Sequence, residues 1–158
     1  MKYVCSLIVV KDVQRARVFY EKLGQKVKND FGENVEFYGG IAIHLEEHFE
    51  KLLRIGKNNI LKKSNNFELY FAEEISKIYD EMKEIDVDFI HEIKEQPWGQ
   101  RVMRFYDPDY HIIEIGESME SVAIRYFRSG MTVEDICKGT SLPEEFVQKA
   151  IVAQGNKI

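Results

Sequence analysis

The spacing of apolar and polar positions changes several times within residues 1–47. Residues 3–10 form an almost unbroken β-branched and apolar run, which predicts a buried strand. Apolar residues then recur at helical spacing from Asp12, a typical N-cap residue, to Leu23, and Gly24 is expected to end that helix. Short strand-like runs follow at 25–31, 34–38 and 41–46. The order predicted for this half of the chain is therefore βαβββ.

The same order of elements returns after a polar linker. The linker covers residues 48–65 and contains one short helical segment at 49–55. Beyond it, the pattern predicts a strand at 67–72, a helix at 74–84, and strands at 87–94, 100–106 and 110–116. Because neither half closes a sheet by itself, we expect the two repeats to pair.

Together these elements predict an α+β fold in which paired βαβββ repeats form an open, cup-shaped mixed sheet. The repeats lie at 1–47 and 66–117, and we assign residues 1–117 to a single domain. Residues 118–158 predict a helical extension. Its helices are expected at 119–128, 132–138 and 143–153, with Gly130, Gly139 and Pro143 as breaks.

Composition narrows the classes of partner. The chain has 158 residues and a formal net charge of −5, without the basic face that nucleic-acid binding requires. It shows no signal peptide and no long apolar run, so we expect no association with a membrane. Its two cysteines, Cys5 and Cys137, lie far apart and lack the spacing of a metal finger, which is typical of a cytoplasmic protein.

One short run carries the most chemical information. It reads Arg104-Phe-Tyr-Asp-Pro-Asp-Tyr-His-Ile-Ile-Glu114, in which a strand, a tight turn and a second strand follow one another. Pro108 presets the backbone of the turn, and the carboxylates of Asp107 and Asp109 can accept hydrogen bonds from nearby backbone N–H groups. Glu114 then falls among isoleucines on the second strand. A carboxylate in that position is either a solvated strand residue or a ligand or base.

The doubled βαβββ order that closes on this turn resembles the vicinal oxygen chelate superfamily. That superfamily includes glyoxalase I, bleomycin-resistance proteins, fosfomycin-resistance transferases and extradiol dioxygenases. The resemblance covers residues 1–117, and Tyr110 departs from it because the family often has glycine after Asp-Pro-Asp. The matching residues are Asp12, Phe19-Tyr20, Leu23-Gly24 and Gly39-Gly40 in the first half, and Glu68 to Phe71, Trp98 to Arg101 and Arg104 to Glu114 in the second.

The resemblance implies a metal site with two ligands from each repeat, one on its first strand and one on its last. Carried over position by position, the ligands are Cys5, His44, Glu68 and Glu114, with Cys5 standing where many members have histidine. Such a set suits a divalent metal, either Zn, Ni, Co, Fe or Mn. Strand parity agrees for the histidine and both glutamates, because the residues beside them face the other way and are apolar. Any half-exposed strand follows the same parity, so a metal-free cup is the open alternative.

The resemblance also implies what the cup does. One interpretation is a small-molecule lyase or isomerase of the glyoxalase I type, with Glu114 and Glu68 as catalytic carboxylates that move a proton. The alternative is a non-catalytic binding protein of the bleomycin-resistance type that sequesters a drug or metabolite. Small members commonly form homodimers, so we expect a homodimer. The candidate ligand-pocket residues are Phe37, Tyr70, Trp98, Arg101, Arg104 and Tyr106.

Two further motifs offer competing interpretations. The run His44-Leu-Glu-Glu-His48 matches the inverted zinc-peptidase pattern, which needs both histidines on one face of a helix. The apolar run that leads into His44 favours a strand at 41–46 instead. Residues 130–147 resemble a helix-turn-helix, but their second helix begins with Pro143-Glu-Glu, which would repel phosphates. We therefore interpret the extension as a packing element.

Overall fold

The computed structural model describes residues 1–57 and 59–155, so Asn58 of the predicted linker and residues 156–158 of the predicted extension lie outside it. The chain divides into two compact units. Unit 1 comprises residues 1–67 and 106–112, and unit 2 comprises residues 68–105 and those from 113 onward. No helix within the described ranges is long and apolar enough to cross a membrane.

Unit 1 contains the first predicted βαβββ repeat and one short additional helix. Its elements are β1 (Ser6–Val10), α1 (Val13–Lys22), β2 (Val27–Asp30), β3 (Asn34–Phe37), β4 (Ile41–Leu45) and α2 (Glu46–Leu53). The four strands form one sheet in the order β1-β4-β3-β2. Because β1 runs parallel to β4 while the other neighbours are antiparallel, the sheet is mixed, as predicted.

Helix α1 begins and ends where the sequence predicts. The carboxylate of Asp12 accepts a hydrogen bond from the backbone N–H of Arg15 at 3.0 Å, which caps the first turn. Gly24 follows the helix with a φ of 77°, a left-handed conformation that favours glycine. Helix α1 packs on β3 and β4. Its buried face consists of Val13, Ala16, Phe19 and Tyr20.

Unit 2 contains the second repeat and the helical extension. The repeat consists of β5 (Glu68–Ala72), α3 (Ile75–Glu84), β6 (Asp88–Glu95), β7 (Arg101–Tyr106) and β8 (Ile112–Gly116). Its sheet has the order β5-β8-β7-β6, the same arrangement as in the first unit. The predicted α+β fold with two βαβββ repeats is therefore confirmed. The most deeply buried side chains of this repeat are Ile75, Met82, Val102, Met103, Phe105, Ile113 and Ile115.

The extension folds as three helices, α4 (Met119–Arg128), α5 (Val133–Thr140) and α6 (Glu144–Gly155). Ser118 caps α4 by accepting a hydrogen bond from the backbone N–H of Ser121, and Thr132 caps α5 in the same way. The three helices pack on one another around a small apolar core. That core consists of Ala123, Ile136, Val147 and Ala150. The apolar residues of the extension are therefore buried between its own helices, in agreement with a packing role.

Helix α2 begins at Glu46, whereas the sequence predicts a start at residue 49. Glu46 and Glu47 lie in its first turn, where carboxylates interact favourably with the helix dipole, and this explains the earlier start. As a result, His44 lies on β4 and His48 lies on α2. The two histidines do not share one helical face, so the inverted zinc-peptidase hypothesis is wrong.

The buried carboxylate of Asp107 organises the turn between β7 and β8, which belongs to unit 1. Its Oδ1 accepts hydrogen bonds from the backbone N–H groups of Asp109 at 2.9 Å and His111 at 2.8 Å. Its Oδ2 accepts a hydrogen bond from the Tyr20 hydroxyl at 2.7 Å and lies 2.9 Å from His111 Nδ1. Burial acts to raise the pKa of Asp107, but the bonds and charge of His111 and the bond from Tyr20 lower that pKa below its usual range.

The end of the linker is attached to the same turn. The Lys63 ammonium lies 4.6 Å from the ring centroid of Tyr106 and 4.8 Å from that of Tyr110. The Tyr106 hydroxyl donates a hydrogen bond to Asn65 Oδ1 at 2.9 Å. Lys63, Asn65 and Tyr110 all adopt left-handed backbone conformations, with φ values of 50°, 55° and 69°. These contacts stabilise strained backbone both in the linker, at Lys63 and Asn65, and in the turn, at Tyr110.

We predict that Asp107→Asn destabilises the protein in a pH-dependent way. The amide keeps the shape of the side chain but removes its charge and presents a donor to groups that already donate. We expect the free energy of unfolding at pH 7 to fall by about 2 kcal/mol. Because the pKa of Asp107 is lower in the folded state, its contribution is present above about pH 4 and is lost as the pH falls through the folded value.

Urea denaturation of both proteins over a range of pH measures this effect. The difference between wild type and Asp107→Asn should shrink as the pH falls. Asp80→Asn is the matched control, because Asp80 is exposed on α3 and should change little. A deficit of equal size at every pH would contradict the proposed role of the charge.

Candidate functional site

Four polar side chains cross the sheet of unit 2, one from each strand. Following the strand order β5-β8-β7-β6, they are Glu68, Glu114, Arg104 and His91, and we name them the polar row. Arg104 Nε donates to Glu68 Oε2 at 3.0 Å, and Arg104 Nη2 forms an ion pair with Glu114 Oε2. On the other side, Arg104 Nη1 lies 3.2 Å from His91 Nε2. One guanidinium therefore joins both carboxylates and the imidazole.

The alternation of side chains along the strands explains why both carboxylates reach this row. On β8, Ile113 and Ile115 flank Glu114 and are almost completely buried. On β5, Leu69 is buried next to Glu68 in the same way. The carboxylates differ in their access to solvent, since the side chain of Glu114 is 10% exposed and that of Glu68 is 41% exposed.

The charges of the polar row do not cancel. Arg104 contributes one positive charge against two carboxylates, which leaves a net charge of −1 when His91 is neutral. The two carboxylates meet at one cationic group, and carboxylate oxygens are suitable donors for a divalent ion. Glu68 and Glu114 therefore fit part of the shell of such an ion, at a place now held by the guanidinium. Within each unit, the described residues contain no group of three or more His, Cys, Asp or Glu side chains placed to hold one metal ion.

His44, the predicted ligand on β4, lies in a hydrogen-bonded cluster of unit 1. Its Nε2 lies 2.9 Å from His48 Nδ1, and its Nδ1 lies 3.3 Å from the side-chain nitrogen of Asn34. Glu33 Oε2 lies 3.4 Å from His48 Nδ1. Burial lowers the pKa of His44, and the neighbouring imidazole of His48 lowers it further, while Glu33 opposes the shift. His44 is therefore held as a neutral imidazole at pH 7.

The strand register separates Cys5 from His44. Val9 of β1 lies opposite His44 of β4, whereas Ser6 lies opposite Ile41. Cys5 precedes Val9 by four residues, which corresponds to about 13 Å along an extended strand. The structure does not bring these two side chains together. Cys5 instead lines a small cavity of about 180 Å³ beside Phe37 and the Gly39-Gly40 turn.

The predicted ligand-pocket residues have different neighbours. Trp98 Nε1 donates to Gln100 Oε1 at 3.0 Å, and Gln100 Nε2 donates to the Tyr70 hydroxyl at 3.0 Å. These three side chains form one chain of hydrogen bonds. Gly116 lies against it, and a Cβ there would come within 2.8 Å of the Tyr70 ring.

Each of the other four predicted pocket residues has its own neighbours outside this chain of hydrogen bonds. Phe37 is buried against Tyr20, with 5.9 Å between the ring centroids, and Tyr106 is bonded to the linker. Arg101 forms an ion pair with Glu117, and only Arg104 belongs to the polar row.

The contacts of three residues in these sites were not predicted from the sequence: His91 on Arg104, Gln100 between Trp98 and Tyr70, and His48 on His44. The alternating exposure of β6 gives one signal, because His91 occupies the less exposed side of that strand with Phe89 and Ile93. Gln100 is buried directly after the Trp98-Gly99 turn, where a polar residue needs a partner. His48 stands out only through its four-residue separation from His44.

Comparison with known proteins gives a consistent result for the fold. Residues 3–120 match the family model of the glyoxalase-like domain. No curated protein matches the chain. A solved protein of unknown function from Agrobacterium tumefaciens str. C58 is 37% identical with a TM-score of 0.66, and the match covers 75% of this chain and 94% of that one.

Two other solved structures indicate the breadth of the likeness. A member of the glyoxalase/bleomycin resistance protein/dioxygenase superfamily from Sphaerobacter thermophilus DSM 20745 is 25% identical, with a TM-score of 0.55 and coverage of 75% of this chain and 98% of that one. A lactoylglutathione lyase from Agrobacterium tumefaciens is 16% identical, with a TM-score of 0.57 and coverage of 74% and 93%. At that identity, the likeness to the lyase shows the fold alone.

We predict that His48→Ala raises the pKa of His44 towards the ordinary histidine value, because it removes the second imidazole and opens the site to water. Titration of the histidine C2 protons by NMR measures the change. Because the pKa of His44 is depressed in the wild-type fold, the stability that it contributes is present above about pH 6.5 and decreases as the pH falls.

Leu52→Ala is the matched control, since Leu52 is exposed on the same helix as His48 and takes no part in the cluster. It should leave the pKa of His44 unchanged. An unchanged or lower pKa of His44 in His48→Ala would contradict the proposed coupling between the two imidazoles.

Proposed function

Because the chain belongs to the glyoxalase-like family of the vicinal oxygen chelate superfamily, we propose that it is a small-molecule lyase or isomerase that binds its substrate at the polar row. The observation that supports this proposal is the meeting of Glu68 and Glu114 at one cationic position. Both were expected to be catalytic carboxylates. Two carboxylates at one position provide a proton acceptor and a partner for positive charge in the same place.

The difference in burial between the carboxylates suggests separate roles. Glu114 is the more enclosed, so we propose that it accepts a proton from a carbon of the substrate. Glu68 is the more exposed, and we propose that it donates a proton taken up from solvent to the neighbouring carbon, while Glu114 releases the abstracted proton to solvent. A divalent ion held by Glu68 and Glu114, with His44 as a predicted further ligand, would polarise two neighbouring substrate oxygens. Cys5 is left out of this set because of its register.

Arg104 is the residue that such an arrangement has to move. Its side chain is 28% exposed and flexible, so the guanidinium can turn away from the carboxylates. Released from them, it could pair with a carboxylate or phosphate group of the substrate. We therefore propose that Arg104 offsets the repulsion between the two carboxylates until substrate or metal binds.

A second candidate function is non-catalytic sequestration of a drug or metabolite. The observation that favours it is that Arg104 already pairs with both carboxylates and offsets part of their negative charge. The remaining net charge of −1 would then favour a cationic molecule over an anion. In this alternative the site does not need a metal. We also propose that the protein is cytoplasmic and homodimeric, as expected for small members of the family.

Metal titration distinguishes the two candidates. We expect Ni²⁺ or Zn²⁺ to bind wild-type protein with one ion per chain, as measured by isothermal titration calorimetry and metal analysis. Glu114→Ala should lose at least about tenfold in affinity, because a carboxylate that binds the ion directly is removed. Arg104→Gln should gain about tenfold, because the ion no longer competes with the guanidinium.

Glu84→Ala is the matched control, because Glu84 is exposed at the end of α3 in the same unit. It should leave metal uptake unchanged. Absence of stoichiometric uptake in both wild type and Arg104→Gln would remove the metal from the proposal.

An activity assay tests the catalytic role directly. Formation of lactoylglutathione, the compound in the name of one solved relative, is a suitable first reaction and can be followed by absorbance. Glu114→Gln should lower kcat by about 10²–10⁴-fold, because the amide cannot accept the proton. Glu84→Gln should retain wild-type activity. Full activity of Glu114→Gln would exclude Glu114 as the base, and ligand binding by an inactive wild type would favour the sequestering function.

A further inference from the structure

A second pocket lies at the base of the helical extension, within unit 2. Its volume is about 440 Å³, which is in the range of small-molecule sites. Arg101, Arg125 and Arg128 line it, and we name it the arginine pocket. None of the four residues of the polar row takes part in its lining.

A buried carboxylate fixes two of the three arginines. Glu117 is only 4% exposed, and Arg101 donates to its Oε1 from Nη2 at 3.0 Å and to its Oε2 from Nε at 3.2 Å. Arg125 donates to the same two oxygens from Nε and Nη2, both at 3.1 Å. Burial acts to raise the pKa of Glu117, but the bonds and charges of both arginines lower it. The ionised carboxylate therefore holds the two guanidiniums in a defined position in the pocket wall.

Several donors remain available in the pocket. The side chain of Arg128 makes no hydrogen bond or ion pair with any described residue, and Nη1 of Arg101 takes no part in the bonds to Glu117. The Ser121 hydroxyl oxygen accepts a hydrogen bond from Ser118 at 2.9 Å, so its own hydrogen is free to be donated. Arg125 already uses four of its five N–H groups, because it also bonds Glu95 and the carbonyl of Gly99.

The charge balance of the lining is positive. Among the lining residues, three arginines and two glutamates, Glu74 and Glu117, give a net charge of +1 in a chain whose net charge is −5, while Glu95, which pairs with Arg125, lies outside the lining. Ile124 adds an apolar patch to the same wall. A guanidinium matches the geometry of carboxylate and phosphate oxygens, and the apolar patch suits the organic part of such a ligand.

We propose that the arginine pocket binds a small organic oxyanion, a carboxylate or a phosphate ester, through Arg128, Arg101 and Ser121. The oxyanion lies against the two arginines and the hydroxyl group, and its organic part lies against Ile124. This site is separate from the polar row. The outcome of its test therefore does not depend on whether the proposed lyase activity is correct.

Calorimetric titration of the full chain at pH 7.5 and low salt tests the proposal with three probes: phenyl phosphate, benzoate and inorganic phosphate. We expect saturable binding of phenyl phosphate or benzoate at one site, tighter than that of inorganic phosphate because the ring contacts Ile124. The tighter of the two organic probes identifies whether the site prefers a phosphate or a carboxylate.

Two variants test the location. Arg128→Ala should weaken binding at least about tenfold, which corresponds to 1.4 kcal/mol. Ser121→Glu should abolish binding, because it places a third carboxylate in the pocket. This change keeps the helix intact, since a glutamate three residues after the Ser118 cap completes a capping box. Circular dichroism and urea denaturation verify that both variants are folded.

Lys149→Ala is the matched control. It removes one positive charge from an exposed position on α6 that does not line the pocket. Three results would overturn the proposal: no saturation with any probe, equal weakening by Lys149→Ala and Arg128→Ala, or wild-type binding by Ser121→Glu. Weakening by Arg128→Ala with an unaffected Lys149→Ala would support it.

Discussion

Folding takes several carboxylates out of water, and three of them, Asp107, Glu114 and Glu117, show how such a charge is compensated inside the protein, since a buried unpaired charge costs several kcal/mol. Asp107 receives two backbone N–H bonds, a hydroxyl and an imidazole, and Glu117 receives two guanidiniums. Glu114 has only a share of Arg104. The first two are saturated and therefore act as structural centres. The third retains capacity for another partner, which is the physical reason for locating function there.

The sequence was sufficient for the fold because its signals are local. The N-cap at Asp12, the glycine after Leu23 and the alternation around Glu114 act within a few residues, and the structure has each where it was expected. The partner of Glu114 is not local. Arg104 meets it only because β8 and β7 are neighbours in the sheet, and strand order and register are not written in the spacing of apolar residues. The same limit explains Cys5, since carrying a ligand position over from the family says nothing about which residue of β4 lies opposite it.

The extension is connected chemically as well as by chain continuity. Arg125 on α4 bonds to Glu117, which follows β8 directly, so one short segment carries Glu114 at one site and anchors the helices at the other. Arg125 also bonds Glu95 and Gly99, which surround the turn before β7. The three helices thus add more than apolar cover. They supply two of the three arginines of a positively charged pocket on a chain that is otherwise acidic.

The left-handed backbone at Tyr110 has a consequence for inheritance. Glycine would adopt that φ without strain, and a residue with a side chain costs on the order of 1 kcal/mol there. This chain carries tyrosine, and the Tyr110 ring lies under the ammonium of Lys63. We therefore expect the two positions to be inherited together, because losing the lysine removes the contact that the Tyr110 ring makes in this conformation. Among relatives, tyrosine at this turn should be inherited with a basic residue in the linker, and lineages that lose one should drift back to glycine.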